Sequence, residues 1–167
     1  MTRTLLSFIW VFIVFVPNVA LAFPDCSAPA SPGVDWSRCF LEEASFPDSD
    51  LTDAALLDTR FQRSDLSGST LDGADAQGAK FVSANLTGAS FVGASLREAD
   101  MTKANLMGAD LSETNLRRTR FFRANLRGAN FTGAHFAQTD LLNADVSGAT
   151  WTDGVRICVE GSIGRCK

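Results

Sequence analysis

The chain has 167 residues, 15 Lys and Arg against 19 Asp and Glu, one His and a net charge of −4. That mild acidity suits solubility and says little about partners. One domain with its own core fits the length, and a single histidine leaves little material for acid–base or metal chemistry.

The first 22 residues read as an export signal. Arg3 is followed by an apolar run from Leu5 to Val16, interrupted only by Ser7, and then by Pro17, Asn18 and the small-x-small stretch Ala20-Leu21-Ala22. This is the pattern that a signal peptidase cleaves, here after Ala22. The alternative, an uncleaved anchor, is disfavoured because the apolar run falls short of the ~20 residues a bilayer requires. A lipid attachment site at Cys26 is disfavoured by Asp25 before it, where a small residue is wanted. Loss of Arg3 with the leader leaves 14 bases against 19 acids, a net charge of −5. Residues 23–40 are Pro-containing and aperiodic and are assigned as an N-terminal cap, with the repeats running over 41–153 and a C-terminal cap over 154–167.

From Ala44 the chain divides into fives with an apolar third residue, from Phe46 and Leu51 through to Val146 and Trp151. Of the 22 such centres only Ala76 is small, and two residues before each one stands Ala, Ser or Thr. A period of five fits neither the 3.6 of a helix nor the 2 of a strand. It fits a chain that turns a corner every five residues, with the large and the small residue pointing inward and Asp, Asn and Gly supplying the turns. This is a repeat architecture.

The A-(D/N)-L-x-x pattern, as in Ala104-Asn105-Leu106-Met107-Gly108, resembles the pentapeptide-repeat family. The resemblance implies an all-β, right-handed quadrilateral β-solenoid of four pentapeptides per coil, here about five and a half coils and roughly 26 Å of regular rod at ~4.8 Å per layer. Residues 20 apart then stack, and Leu56, Ala76, Leu96, Leu116 and Phe136 form one inner column in which Ala76 is a thin spot. Gly68, Gly88, Gly108, Gly128 and Gly148 share one corner and Gly73, Gly93 and Gly133 the next, where a type II turn wants positive φ. The other two corners carry charged and amide side chains.

The ends, Val34-x-Trp36-x-x-Cys39 and the segment from Trp151 to Cys166, resemble an exported branch of the same family. The four cysteines lie outside the regular region, and with an export signal they read as two disulfides. Zinc is the rival reading, but no C-x₂-C pair is present. In the implied rod the two ends are too far apart for a cross-bridge, which leaves Cys26–Cys39 and Cys158–Cys166. Each such local bridge is worth on the order of 2–3 kcal/mol.

No nucleophile arrangement, phosphate loop or zinc signature is present. His135 precedes the centre Phe136 and points outward, without a catalytic companion. The reading is therefore non-enzymatic, with no catalytic, cofactor or metal site and no cofactor. The charge distribution is uneven. Glu42–Asp75 holds nine acids and two bases, whereas Ala76–Gly128 holds eight bases and four acids. Stacking places Arg60, Lys80 and Arg120 in one column and Arg63, Lys103 and Arg123 in another, with Val82, Phe122 and Leu142 between them. This face is the candidate interaction surface, for an unknown protein or an anionic envelope component, or for a second copy's acidic Glu42–Asp75 region. The family's known alternative, a DNA mimic that binds gyrase, requires a broadly acidic rod in the cytoplasm. This chain has an export signal and a basic face, so nucleic acid is disfavoured as a partner and contact with a membrane is expected only through the leader. The expected role is a scaffold or protein-interaction surface, periplasmic or secreted.

Overall fold

A computed structural model describes residues 24–167 of the chain. The expected leader and its cleavage point lie outside the described residues.

The backbone pairs with itself at a fixed interval of 20 residues. Parallel bridges run Asp35 to Ala55, Phe40 to Arg60, Ser45 to Asp65 and Asp50 to Thr70, and so on without a break to Asn130 and Thr150. With a corner every five residues, this interval gives four faces per circuit. The residues that form the bridges are Asp35, Ala55, Asp75, Ser95, Asn115 and His135 on the first face. On the second they are Phe40, Arg60, Lys80, Asp100, Arg120 and Asp140. The third runs from Ser45 to Asp145 and the fourth from Asp50 to Thr150. No helix occurs among the described residues.

Coil pairing starts at Asp35, not at residue 41, so the assigned N-terminal cap of 23–40 is too long. Val34 and Cys39 take the inward small position, and Trp36 and Leu41 are centres. Neither Val nor Cys obeys the small-residue rule, which hides this stretch in the sequence. Trp36 is fully buried, donates its indole N–H to the Ala28 carbonyl at 3.2 Å and packs on Phe46 with ring centroids 4.9 Å apart. Below it, Cys26 is bonded to Cys39 across 13 residues, and at the far end Cys158 is bonded to Cys166 across 8.

The core is built of four columns of stacked side chains, one from each face. Leu51, Leu56, Phe61, Leu66 and Leu71 are wholly buried, as are their counterparts up to Phe131. Phe61 stacks on Phe81 at 5.2 Å. At the thin spot, Ala76 is also fully buried, and Phe81 and Phe91 from the flanking faces meet edge to face at 6.1 Å. Such ring pairs add to their area burial.

The inward small position does more than fit a narrow space. Wherever it carries a hydroxyl above the first coil, the hydroxyl donates to the carbonyl of the centre 23 residues earlier. The pairs are Thr59 to Trp36 (2.7 Å), Ser64 to Leu41 (2.6 Å), Ser69 to Phe46 (2.7 Å), Thr114 to Phe91 (2.8 Å), Thr119 to Leu96 (2.7 Å) and Thr139 to Leu116 (2.7 Å). Each buried hydroxyl is thereby satisfied, and each bond ties one coil to the one beneath it.

The Asp and Asn residues ahead of the centres make the corners. Their side-chain oxygens accept the N–H two residues on, as from Thr52 to Asp50 (3.0 Å), Ser67 to Asp65 (3.1 Å) and Ser112 to Asp110 (2.9 Å). These are Asx turns. Bonds from Ser37, Thr52 and Ser67, side-chain hydroxyl first and backbone N–H second, hold the carboxyls of Asp35, Asp50 and Asp65 below the ordinary carboxylate range.

Two outcomes follow from this architecture. Leu96→Ala, which truncates a wholly buried centre, is expected to cost about 2–5 kcal/mol in a denaturant titration. Because the turn-forming carboxyls titrate lower in the folded chain than in the unfolded one, they stabilise the fold above about pH 4, and that contribution is lost as the pH falls through their depressed values. The melting temperature is therefore expected to hold steady from neutrality to about pH 5 and to drop below about pH 4.

Candidate interaction surface

Every corner from Gly33 to Gly148 places its second residue in the left-handed region, whether or not that residue is glycine. Fourteen non-glycine residues adopt it, with φ between 53° and 62°. The two decorated corners are thus the same turn as the glycine corners. At the corner after the second face, Glu43, Arg63, Ser83, Lys103, Arg123 and Asn143 stand in this conformation, and at the corner after the first face Arg38, Asp58, Glu98 and Arg118 do. A side chain there costs roughly 1–2 kcal/mol relative to a relaxed backbone.

The structure divides the sequence-derived basic surface in two. Towards the N-terminal end, Arg63 donates Nε and Nη2 to Glu43 at 2.9 and 2.6 Å. Arg60 lies 4.0 Å from Glu42 and 4.4 Å over the ring of Phe40. Both bases are held by the acidic end. Further along, Lys80, Lys103 and Arg123 make no ion pair among the described residues, and Arg120 reaches Asp100 only at 3.8 Å. Phe122 lies beneath the Arg123 guanidinium at 5.1 Å. Leu142 is exposed, whereas Val82 and Phe122 are half-buried.

The geometry adds three bases to this surface. Arg97, Arg117 and Arg118 stand at the corner after the first face and so flank the second face on its other side. Their spacing of 20 between Arg97 and Arg117 was the available signal. Glu98 is shared, 3.5 Å from Arg97 and 3.2 Å from Arg118. From Lys80 to Arg123, the second face and its two corners hold seven bases, with Glu98 and Asp100 as the acids among them.

His135 is exposed at the last bridge of the first face. A shallow cavity of about 650 Å³ beside it is lined by Asn115, Arg117, Ala134, Phe136, Ala137 and Thr152. At the C-terminal end, Arg127 grips Glu160 through two bonds of 2.9 and 2.8 Å and reaches Asp145 at 3.1 Å. This fixes the terminal segment to the third face. The pairing lowers the carboxyl of Glu160 and raises the guanidinium further above its ordinary value.

The left-handed corners supply a test. Glycine relaxes that conformation at some cost in unfolded-state entropy, so Lys103→Gly and Arg118→Gly are each expected to leave stability equal or raise it by up to about 1 kcal/mol in urea titrations. An interior substitution to glycine elsewhere on the coil, such as Ala104→Gly, is expected to destabilise.

Among solved structures, the chain is similar to HetL, a pentapeptide repeat protein involved in heterocyst differentiation regulation from the cyanobacterium Nostoc sp. strain PCC 7120. The two share 29% identity, over 75% of this chain and 70% of that one, with a TM-score of 0.37. It is also similar to a pentapeptide repeat protein of the Arabidopsis thaliana thylakoid lumen, at 32% identity over 60% and 79% of the two chains and a TM-score of 0.30. A further pentapeptide repeat protein from Nostoc PCC 7120 shares 34% identity over 52% and 68%, with a TM-score of 0.40. No curated protein matches. The sequence model of the family described as Pentapeptide repeats matches in eight copies over residues 49–88, 79–121 and 119–150, more than half of the chain. The chain belongs to the pentapeptide-repeat family, whose members fold as right-handed β-solenoids and are in general structural or interaction proteins.

Proposed function

We propose that the chain is an exported, non-enzymatic binding scaffold. In this reading a rod of about six coils presents the second face and its corners, from Lys80 to Arg123, to an anionic partner in the cell envelope or outside the cell. The observation that carries it is the placement of charge on strained backbone. Lys103, Arg118 and Arg123 occupy left-handed corners where glycine would be the relaxed choice, and Lys103 and Arg123 have no acidic neighbour within ion-pair distance among the described residues. Like charges one coil apart, at ~4.8 Å, lie well inside the Debye length of ~8 Å and repel unless a counter-charge is supplied. A partner's acidic groups would relieve that repulsion, and Phe122 beside Arg120 and Arg123 adds the aromatic and Arg chemistry in which interfaces are enriched. Export is supported by the leader pattern at residues 1–22 and by the Cys26–Cys39 and Cys158–Cys166 bridges, which persist in an oxidising compartment.

The competing reading is a cytoplasmic mimic of nucleic acid. It calls for acidic charge along the whole rod, and the surplus of bases on the second face opposes it.

The test uses an immobilised polyanion, polyglutamate or heparin, with elution by salt. The combined variant Arg120→Glu, Arg123→Glu and Phe122→Ser is expected to elute at clearly lower salt than the wild type with little change in melting temperature. Glu98 and Glu113 already occupy equivalent corners, so Glu at position 123 is compatible with the turn. Equal elution of the two proteins would reduce the basic strip to solvated surface. Fractionation of cells expressing the whole chain checks export, with a shortened protein in the periplasm or medium expected.

A further inference from the structure

At the C-terminal end the coil is left half covered. After Trp151 the chain does not climb onto the first face again. It folds back, pairing antiparallel at Ile157 with Thr150 on the fourth face and at Ile163 with Asp145 on the third. This hairpin adds one layer to two faces and nothing to the other two. On the first and second faces the last coil ends in an open edge. The N–H groups of Phe136, Gln138 and Leu141 and the carbonyls of Ala134 and Thr139 have no backbone partner among the described residues, although each equivalent group one coil lower is bonded. Phe136, Leu141 and Trp151, buried centres elsewhere, are only half-buried here.

The same end concentrates exposed apolar side chains. Of the seven large ones exposed on the described residues, five fall between Leu142 and Ile163. Leu142 (60% exposed) lies on the low half, and Val155 (82%) and Ile157 (55%) lie on the raised half. Exposed apolar side chains gathered at one end of the rod point to an interaction site there.

We propose that this end is a two-fold interface between two copies of the chain, in which the hairpin of each fills the low half of the other. Three features select that occupant. A surface with one half raised and the other lowered by one layer of ~4.8 Å is complementary to itself under a two-fold axis across the rod, as an isologous dimer requires. The open edge bends at the corner Ala137–Gln138, so a straight peptide cannot follow it, whereas the hairpin already bends across two adjoining faces. Head-to-tail growth is blocked, because the first coil of a following copy would need all four faces and the hairpin holds two. Charge agrees: Asp140 on the low half and Arg165 and Lys167 on the hairpin have no ion pair among the described residues, while Glu160 is taken by Arg127. The contact lies beyond the Lys80–Arg123 strip on which the proposed function rests, and meets the sequence-derived surface only at Leu142.

Sedimentation of the purified chain with its disulfides intact, from about 1 µM to about 1 mM, tests the proposal; these concentrations span millimolar to micromolar affinities. A monomer–dimer equilibrium is expected that stops at the dimer. Leu142→Asp and Val155→Asp, both at exposed positions, should each weaken it at least tenfold with melting temperatures unchanged. Phe40→Asp, at the opposite end, should leave it intact. Amide exchange at Phe136, Gln138 and Leu141 should slow as concentration rises. Any of three results overturns the proposal: a monomer at every concentration, assemblies that grow beyond the dimer, or a dimer that Phe40→Asp dissociates and Leu142→Asp does not.

Discussion

A chain that must turn a corner every five residues has room inside for one large and one small side chain per side, and nearly every other feature answers to that limit. The small residue sits where four backbone segments crowd together, so it is Ala or a hydroxyl that can bond the coil beneath. The large residue fills the axis and stacks on its copy 20 residues away. The outward residue between them is Asp or Asn in most coils because its oxygen closes the next corner. Backbone bonds between coils, 2.7–3.1 Å in nearly every case, then repeat one register along the rod. Stability in such a structure is a sum of neighbour terms, which is why the ends need separate treatment.

The two ends are closed by different means. At the N-terminal end, the bridge from Cys26 reaches Cys39, a residue inside the first coil at the inward position, so the bond ties the cap directly to the core. At the C-terminal end, the Cys158–Cys166 bridge closes the hairpin on itself, and the bonds of Arg127 to Glu160 and Asp145 hold it against the coil. A sheet edge left open invites pairing. The N-terminal segment lays Trp36 and its neighbours across the core, while the C-terminal hairpin covers two faces of four.

Much of this was legible in the sequence, because a fixed period is a property of spacing and needs no knowledge of contacts. The register of 20, the inward columns from Leu51 to Phe131 and the position of the glycine corners all follow from counting. What escaped counting depends on exceptions or on side-chain reach. Val34 and Cys39 violate the small-residue rule and so conceal the first coil. Arg60 and Arg63 look like members of a basic column until Glu42 and Glu43 are seen folded onto them from the coil below. Arg97 and Arg117 belong to the neighbouring corner, so their column joins this surface only when the faces are set side by side. The hairpin after Trp151 has no period at all, and only pairing in space reveals which faces it covers.

The interval of 20 also makes this rod sensitive to the arithmetic of insertion. Adding a whole coil would lengthen the molecule by one layer and leave every column in place. Adding a single pentapeptide would lengthen it by a quarter of that and rotate all that follows by a right angle. The hydroxyl bonds that span 23 residues would then meet new partners, and Lys103, Arg120 and Arg123 would swing onto a different side from Lys80. Duplication and deletion in units of five thus act as a rotary adjustment of what the surface displays, with the core unaffected because every side accepts the same two kinds of residue.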